Sequence, residues 1–244
     1  MIRSETVGRL RVVTIDRPER RNALRPADLD ALEAAVTGAS VPETDDTAAD
    51  AADERVSVVY LHGTGSAFCA GADLDVVAGL DDPAAFAGHG QRVADAIESA
   101  DPVVVAGVDG AARGGGVELA LACDLRVATP DATFAEPGVQ FGLFGAWGGT
   151  GRLREVCRPG DAADLALSGR VVDAAEARRI GLVSRVVDDP RSVAEEVATN
   201  EPDALAALKR LLHHDGPKAE REAAEREAFG DLVAAHADDL RRER

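Results

Sequence analysis

Two kinds of apolar pattern follow one another along this chain, and their order predicts its architecture. Arg9 to Ile15 alternates polar and apolar positions, the period of a strand with one buried face, and Arg17-Pro18 ends it. Val56 to Leu61 and Val103 to Val108 are instead apolar runs rich in β-branched residues, as strands covered on both faces are. Leu125 to Ala128 and Thr133-Phe134 add short strands around a Pro130-Asp131 turn. Between these lie stretches of helical period. Ala27 to Thr37 sets Leu29, Leu32 and Val36 on one face, and Gln91 to Ser99 does the same with Val93 and Ile97. Gly148 to Val156, Asp161 to Leu167 and Ala174 to Ile180 read as helices punctuated by Gly160 and Gly169. Strands alternating with helices predict an α/β protein with parallel pairing.

The ends of the pattern are different. Residues 41–55, mostly acidic and small, have no apolar periodicity and read as a solvated loop. From Asp203 the chain is helical in composition, with Leu205, Leu208, Leu211 and Leu212 as one apolar stripe and a break at Asp215-Gly216-Pro217. Lys218 to Arg244 is charged, with a sparse apolar set at Phe229, Leu232, Val233 and Leu240. We therefore expect a core over residues 1–200 and a C-terminal helical region over 201–244. No internal repeat is present.

Candidate chemistry sits where the central strand ends. After Val103 to Val108, Asp109-Gly110 breaks the run, and Gly114 to Gly116 lead into Val117 to Cys123, whose residue types favour helix. The first N–H groups of a helix lack internal partners and carry the positive end of its dipole, so they attract an oxyanion. Glycines admit a ligand to that backbone, and Glu118 in the first turn places a carboxylate beside it. The same residues also suit a tight turn with a favourable N-terminal acid. A second stretch, Ser66 to Leu74, again places small residues and a glycine between a strand and a helix.

Together these stretches resemble the enoyl-CoA hydratase/isomerase (crotonase) superfamily. The resemblance also rests on Arg17 to Leu24, Ala122-Cys123-Asp124, Trp147-Gly148-Gly149-Thr150 before Arg152-Leu153, and Ala174 to Ala177 with Ile180 to Val183. It implies a crotonase-like spiral of ββα units with a C-terminal helical region, shortened here at Arg241 to Arg244, assembled into homotrimers or dimers of trimers. It implies an acyl-CoA thioester enzyme whose oxyanion hole is the backbone N–H groups of Ala72 and Gly115. Ala70, Gly71, Asp73 and Gly114 border those donors, and Arg20 and Arg21 match a loop lying against CoA; these are the implied substrate-binding residues. No permanently bound cofactor and no metal are implied, coenzyme A entering as part of the substrate.

Hydratases of this family use two glutamates. The first matches Glu118; the second normally follows the proline of an F-x-x-P-E segment, which here reads Phe134-Ala135-Glu136-Pro137-Gly138. In an extended chain, Glu136 stands ~7 Å from the matching position, too far for hydrogen-bond reach without rearrangement. Glu136 then reads either as a loop carboxylate or as a displaced second catalytic carboxylate. The substitution leaves open hydration, one-base isomerisation of 3-enoyl to 2-enoyl thioesters, and a catalytically weak CoA-binding subunit. His62 and Trp147 read as structural, His213-His214 as a solvated helix end, and Arg113 as able to meet a phosphate or an acyl carboxylate.

Composition narrows the partners. The 244 residues carry 44 acidic and 27 basic side chains, a formal net charge of −17, which repels nucleic acid and anionic lipid. Few lysines and many alanines beside that charge read as salt adaptation of the haloarchaeal kind. Aromatics make up only 3%, so small aliphatic side chains must fill the core. No apolar run approaches the ~18 residues of a membrane span, and the N-terminus has no signal core. Three widely spaced cysteines, Cys69, Cys123 and Cys157, read as reduced core residues. A cytoplasmic protein is expected.

Overall fold

The computed structural model describes residues 1–39 and 55–242. Apart from Arg55, the acidic stretch read as a solvated loop lies outside the described residues. The chain opens on a hairpin, β1 (Ile2–Val7) and β2 (Leu10–Ile15), with Val7 opposite Leu10. Periodicity identified β2 alone, because β1 is largely exposed and has no apolar face to read. Helix α1 (Pro26–Thr37) follows, its first turn closed by the Arg25 N–H donating to Asp28 Oδ2 at 3.0 Å. Next come β3 (Val58–Gly63), β4 (Ala67–Cys69), the single turn α2 (Leu74–Val77) and α3 (Pro83–Glu98). α3 starts well before Gln91, where its apolar stripe begins. Asp82 caps it by accepting from Ala85 N at 2.9 Å, and Pro83 occupies the first helical position.

Then come β5 (Val103–Val108), β6 (Ala111–Arg113), α4 (Gly115–Ala122), β7 (Leu125–Ala128) and β8 (Thr133–Ala135). The remainder is α5 (Gly149–Val156), α6 (Pro159–Ser168), β9 (Val172–Asp173), α7 (Ala174–Ile180), β10 (Arg185–Val186), α8 (Pro190–Ala198), α9 (Pro202–Leu212), α10 (Lys218–Ala235) and α11 (Ala237–Arg242).

Six strands form the larger sheet in the order β1-β2-β3-β5-β7-β10, parallel except for β1. A parallel sheet needs cover on both faces, and the period of two along its strands supplies two cores. Val13, Ile15, Val59, Leu61, Val104 and Ala106 point into the core shared with α1, α3 and α4. Val12, Val58, Tyr60, Val103 and Val105 point the other way, against Val193 and Ala194 of α8. The smaller sheet, β4-β6-β8-β9, is parallel except at β9. Three times the chain leaves a strand of the larger sheet and adds a short one to the smaller: β3 to β4, β5 to β6, β7 to β8. The middle passage matters most, because β6 delivers the N-terminus of α4 beside the end of β4.

The leucine stripe expected on the C-terminal helix is corrected by the structure. Leu208 and Leu212 of α9 are exposed, while Ala206, Ala207 and Lys209 are buried. Asp124 sets this orientation: it accepts from Val104 N at 2.7 Å and needs a counter-charge, which Lys209 Nζ supplies at 2.8 Å while donating to Pro102 O at 2.9 Å. His213, read as a solvated helix end, also reaches Asp124 Oδ1 with Nε2 at 3.0 Å.

Candidate active site

The site begins with a close approach of two backbones. Gly71 has φ +82°, and a Cβ there would lie 2.7 Å from Gly115 N and 2.9 Å from Arg113 O. Only glycine lets the segment after β4 lie against the start of α4. Ala72 sits in an isolated parallel bridge to Leu24: Leu24 N donates to Gly71 O at 2.8 Å, and Asp73 N donates to Leu24 O at 2.9 Å. That pairing leaves out the N–H of Ala72 itself, and the N–H of Gly115 is at the helix start, where no internal acceptor exists. Among the described residues, neither donates a backbone hydrogen bond outside regular elements. Gly114 anchors the turn, its N–H donating to Ala135 O at 3.0 Å and its carbonyl accepting from Val117 and Glu118.

The loop after β2 is tied to this segment. Asn22, buried at φ +60°, donates through Nδ2 to Thr64 O at 2.9 Å and Ala67 O at 2.7 Å, and Ala70 N donates to Arg21 O at 3.0 Å. Asp73, only 3% exposed, caps α2 through Asp75 N and accepts Arg17 Nη1 at 2.7 Å and Arg20 Nη2 at 3.1 Å. Hydrogen bonds from Arg17 hold its carboxyl below the usual range, against the pull of burial. Arg20, which also reaches Asp75, is therefore committed to this loop on one side. Arg21 is exposed in the left-handed region at φ +52° and forms no ion pair among the described residues. Arg113, read as a ligand for an anion, is occupied instead. Its guanidinium donates to Thr133 O at 2.7 Å and Thr133 Oγ1 at 3.0 Å, which binds β6 to β8.

Glu118 is 1% exposed on α4. Its Oε1 accepts from Trp147 N at 2.9 Å and Gly149 N at 2.8 Å. Burial holds this carboxyl above its usual range, and those two N–H groups offset only part of that rise. The role of the Trp-Gly-Gly-Thr segment at the start of α5 was not legible in the sequence; it is the amide clamp on this side chain.

Glu136 corrects the expectation of a 7 Å displacement. It is the last residue before a 3-10 turn, Pro137–Phe141, and at φ −107°, ψ 71° the chain bends at Glu136 instead of continuing extended. Its carboxylate enters the same cavity as Glu118. A Cβ on Gly145 would lie 2.7 Å from Glu118 Oε2 and 3.0 Å from Glu136 Oε2, so the two oxygens flank one point. Gly138, the matching family position, turns its missing side chain toward the backbone of Leu143 and Phe144, 3.0–3.1 Å away. Burial and then the neighbouring Glu118 charge push Glu136 up to about 8. The cavity, about 40 Å³, is also lined by Val139, Phe144, Leu153 and Ala166.

Other features are remote from this chemistry. An open groove of about 450 Å³ between β1–β2 and α8, lined by Arg9, Leu10, Arg191 and Glu195, contains no carboxylate pair. His62 bonds Thr14 Oγ1 through Nε2 at 3.0 Å and stacks on Tyr60. Glu201, Asp203 and His236 bring ligand-type atoms within 4.8 Å of one another on the C-terminal helices, away from the carboxylate pair, and Asp203 is ion-paired with Arg55.

Comparison with known proteins agrees with this geometry. Residues 5–239 match the model of the enoyl-CoA hydratase/isomerase family. A probable enoyl-CoA hydratase of Rhizobium meliloti is 37% identical over 212 residues, covering 85% of this chain and 77% of that protein. The crystal structure of an enoyl-CoA hydratase from Bacillus anthracis superposes with a TM-score of 0.84 at 27% identity, over 96% of this chain and 91% of that one. An enoyl-CoA hydratase from Thermoplasma volcanium does so with a TM-score of 0.84 at 29% identity, over 100% and 97%. The two sheets and their short-strand returns are thus the crotonase fold, and the chain belongs to the enoyl-CoA hydratase/isomerase family.

Proposed function

We propose that the protein is an acyl-CoA thioester enzyme that adds water across the double bond of a 2-enoyl-CoA. The observation carrying this is the carboxylate pair around Gly145 beside the free helix N-terminus. The thioester oxygen sits on the N–H groups of Ala72 and Gly115, which take up the negative charge as the enolate develops; one such donor is worth ~3 kcal/mol in a transition state. Glu118, whose charge is supported by two amide N–H groups, takes a proton from water as its oxygen bonds to C3. Glu136, held protonated by burial and by its neighbour, donates a proton to C2. One water is consumed, and the pair exchanges which member holds the proton.

Two positioned carboxyl groups remove the reason for a one-base isomerase or an inactive CoA-binding subunit. Arg21, exposed at the rim, and Arg20 beside it supply positive charge for the CoA phosphates, while Ala70, Gly71, Asp73 and Gly114 shape the backbone around the donors. Exposed Phe141, Phe144 and Leu167 support an assembly of copies, which we place as a homotrimer or a dimer of trimers. The net charge supports a salt-rich cytoplasm, and a 2-enoyl-CoA substrate would suit a place in acyl-CoA degradation.

The test is loss of conjugated thioester absorbance from crotonyl-CoA in molar KCl. The native protein turns it over, and Glu118→Gln abolishes turnover while acyl-CoA still binds. Native protein without hydration activity would overturn the reading.

A further inference from the structure

The chain's single tryptophan, Trp147, is 3% exposed although it precedes α5 in a loop. Its indole fills space that two glycines leave open. A Cβ on Gly90 of α3 would lie 2.0 Å from its Cδ1 and 2.3 Å from its Nε1; a Cβ on Gly115 would lie 2.4 Å from its Cζ3. The ring thus spans from α3 to the helix N-terminus that offers the oxyanion donor. Phe86 braces it edge-on, with ring centroids 6.0 Å apart. The backbone N–H of Trp147 is meanwhile held on Glu118 Oε1. The residue is locked to the base on one side and packs between Gly90 of α3 and Gly115 of α4 on the other.

An acyl chain with its thioester oxygen on Gly115 N and its reacting carbons near the two carboxylates has two ways to continue. One is the cavity past Glu118 and Glu136, about 40 Å³, lined further by Phe144, Leu153 and Ala166. At ~10–15 Å³ for each water-sized group, it holds about three such groups. The other way is between α4 and α3, where the indole fills the space from Gly115 to Gly90.

We propose that Trp147 is the residue that sets acyl-chain length, limiting the enzyme to short-chain enoyl-CoA thioesters of at most about six carbons. This rests on the acyl-thioester reading of the site. Removing the ring opens the space from Gly115 toward Gly90, and longer chains gain a path that adds apolar contact with each carbon.

The test is kcat/KM for four-, six- and ten-carbon 2-enoyl-CoA with native protein, Trp147→Ala and Trp147→Leu. Native protein should prefer four carbons to ten by tenfold or more, since a single misfitting methylene is worth ~10-fold or more in a filled pocket. Each variant should shift that ratio at least tenfold toward the long chain. A native enzyme indifferent to chain length, or variants with the native ratio, overturns the proposal. Because the chain has one tryptophan, its emission reports the same contact without substitution. Butyryl-CoA should shift it and free CoA should not, whereas butyryl-CoA binding with unchanged emission overturns the proposal even where a variant fails to fold. Absent turnover of crotonyl-CoA by native protein refutes the hydratase reading, and the emission result stands apart from that.

Discussion

Raising the pH should switch this enzyme off through Glu136. Its carboxyl, normally near 4.5, is pushed up to about 8, first by burial and then by the charge of Glu118 across Gly145. At pH 7 about nine in ten of these groups carry the proton, and at pH 9 about one in ten. A reaction that needs Glu136 as the acid should lose about tenfold in kcat/KM between those values. Glu136→Gln keeps the shape without the proton; it should cost ~10²- to 10⁴-fold in hydration and leave the remaining rate flat across this range. Glu118→Gln should lower the Glu136 pKa by removing the like charge, yet leave it above 4.5, because burial is the larger cause. Stability gives an independent reading. A carboxyl with a folded pKa above its unfolded one contributes stability that is complete below about 4.5 and is lost as pH rises to about 8. Glu136→Gln escapes that loss, so its Tm should exceed the native Tm at pH 8–9 and match it near pH 4. The assays are crotonyl-CoA hydration well below KM and thermal melts over the same buffers. A native rate unchanged from pH 7 to 9, an alkaline limb that survives in Glu136→Gln, or a Tm difference independent of pH would refute the reasoning.

Gly71→Ala should lower hydration at least 10²-fold and cost ~1–3 kcal/mol of stability, because a Cβ at φ +82° meets Gly115 N and Arg113 O; kinetics and urea melts check both. Lys209→Ala should cost ~1–3 kcal/mol in urea unfolding by taking the buried ammonium from Asp124 and Pro102 O while His213 and Val104 N stay on Asp124, whereas Leu208→Ala on the same helix should cost under ~0.5 kcal/mol. Lowering KCl from 1 M to 0.1 M lengthens the Debye length from ~3 to ~10 Å, so the 17 excess negative charges should lower Tm and dissociate the proposed assembly, as followed by melting and light scattering.

Elements whose packing face is written in apolar spacing were legible in the sequence. β2, β3, β5, α1, α5 and α7 fall within a few residues of their expected bounds, and Gly114 to Glu118 was recognisable as a strand-turn-helix passage bearing a carboxylate. The exposed strand β1 and the two-residue strands β9 and β10 offer no period to read. α9 misled for a different reason. Its leucines made the stronger stripe, but pairing of Lys209 with the partly buried Asp124, remote in sequence, fixed which face turned inward.

The site divides along the same line. Local sequence marked Gly71 as a glycine between a strand and a helix and Gly115 as a glycine at a helix start, because both are short-range features, while the donor role of the Ala72 and Gly115 N–H groups came from the family resemblance. It also determined Glu118, one turn into α4. Only the tertiary structure decided that Glu136 belongs with it. That outcome depends on a bend at Glu136 and the turn of a few residues after it, on Gly145 leaving room between the two carboxyls, and on the amides of Trp147 and Gly149 arriving around the start of α5 to hold Glu118. Counting residues along an extended chain gives a displacement but not the direction of a turn. Where two carboxyls separated in sequence meet is set by the packing that folds the chain between them.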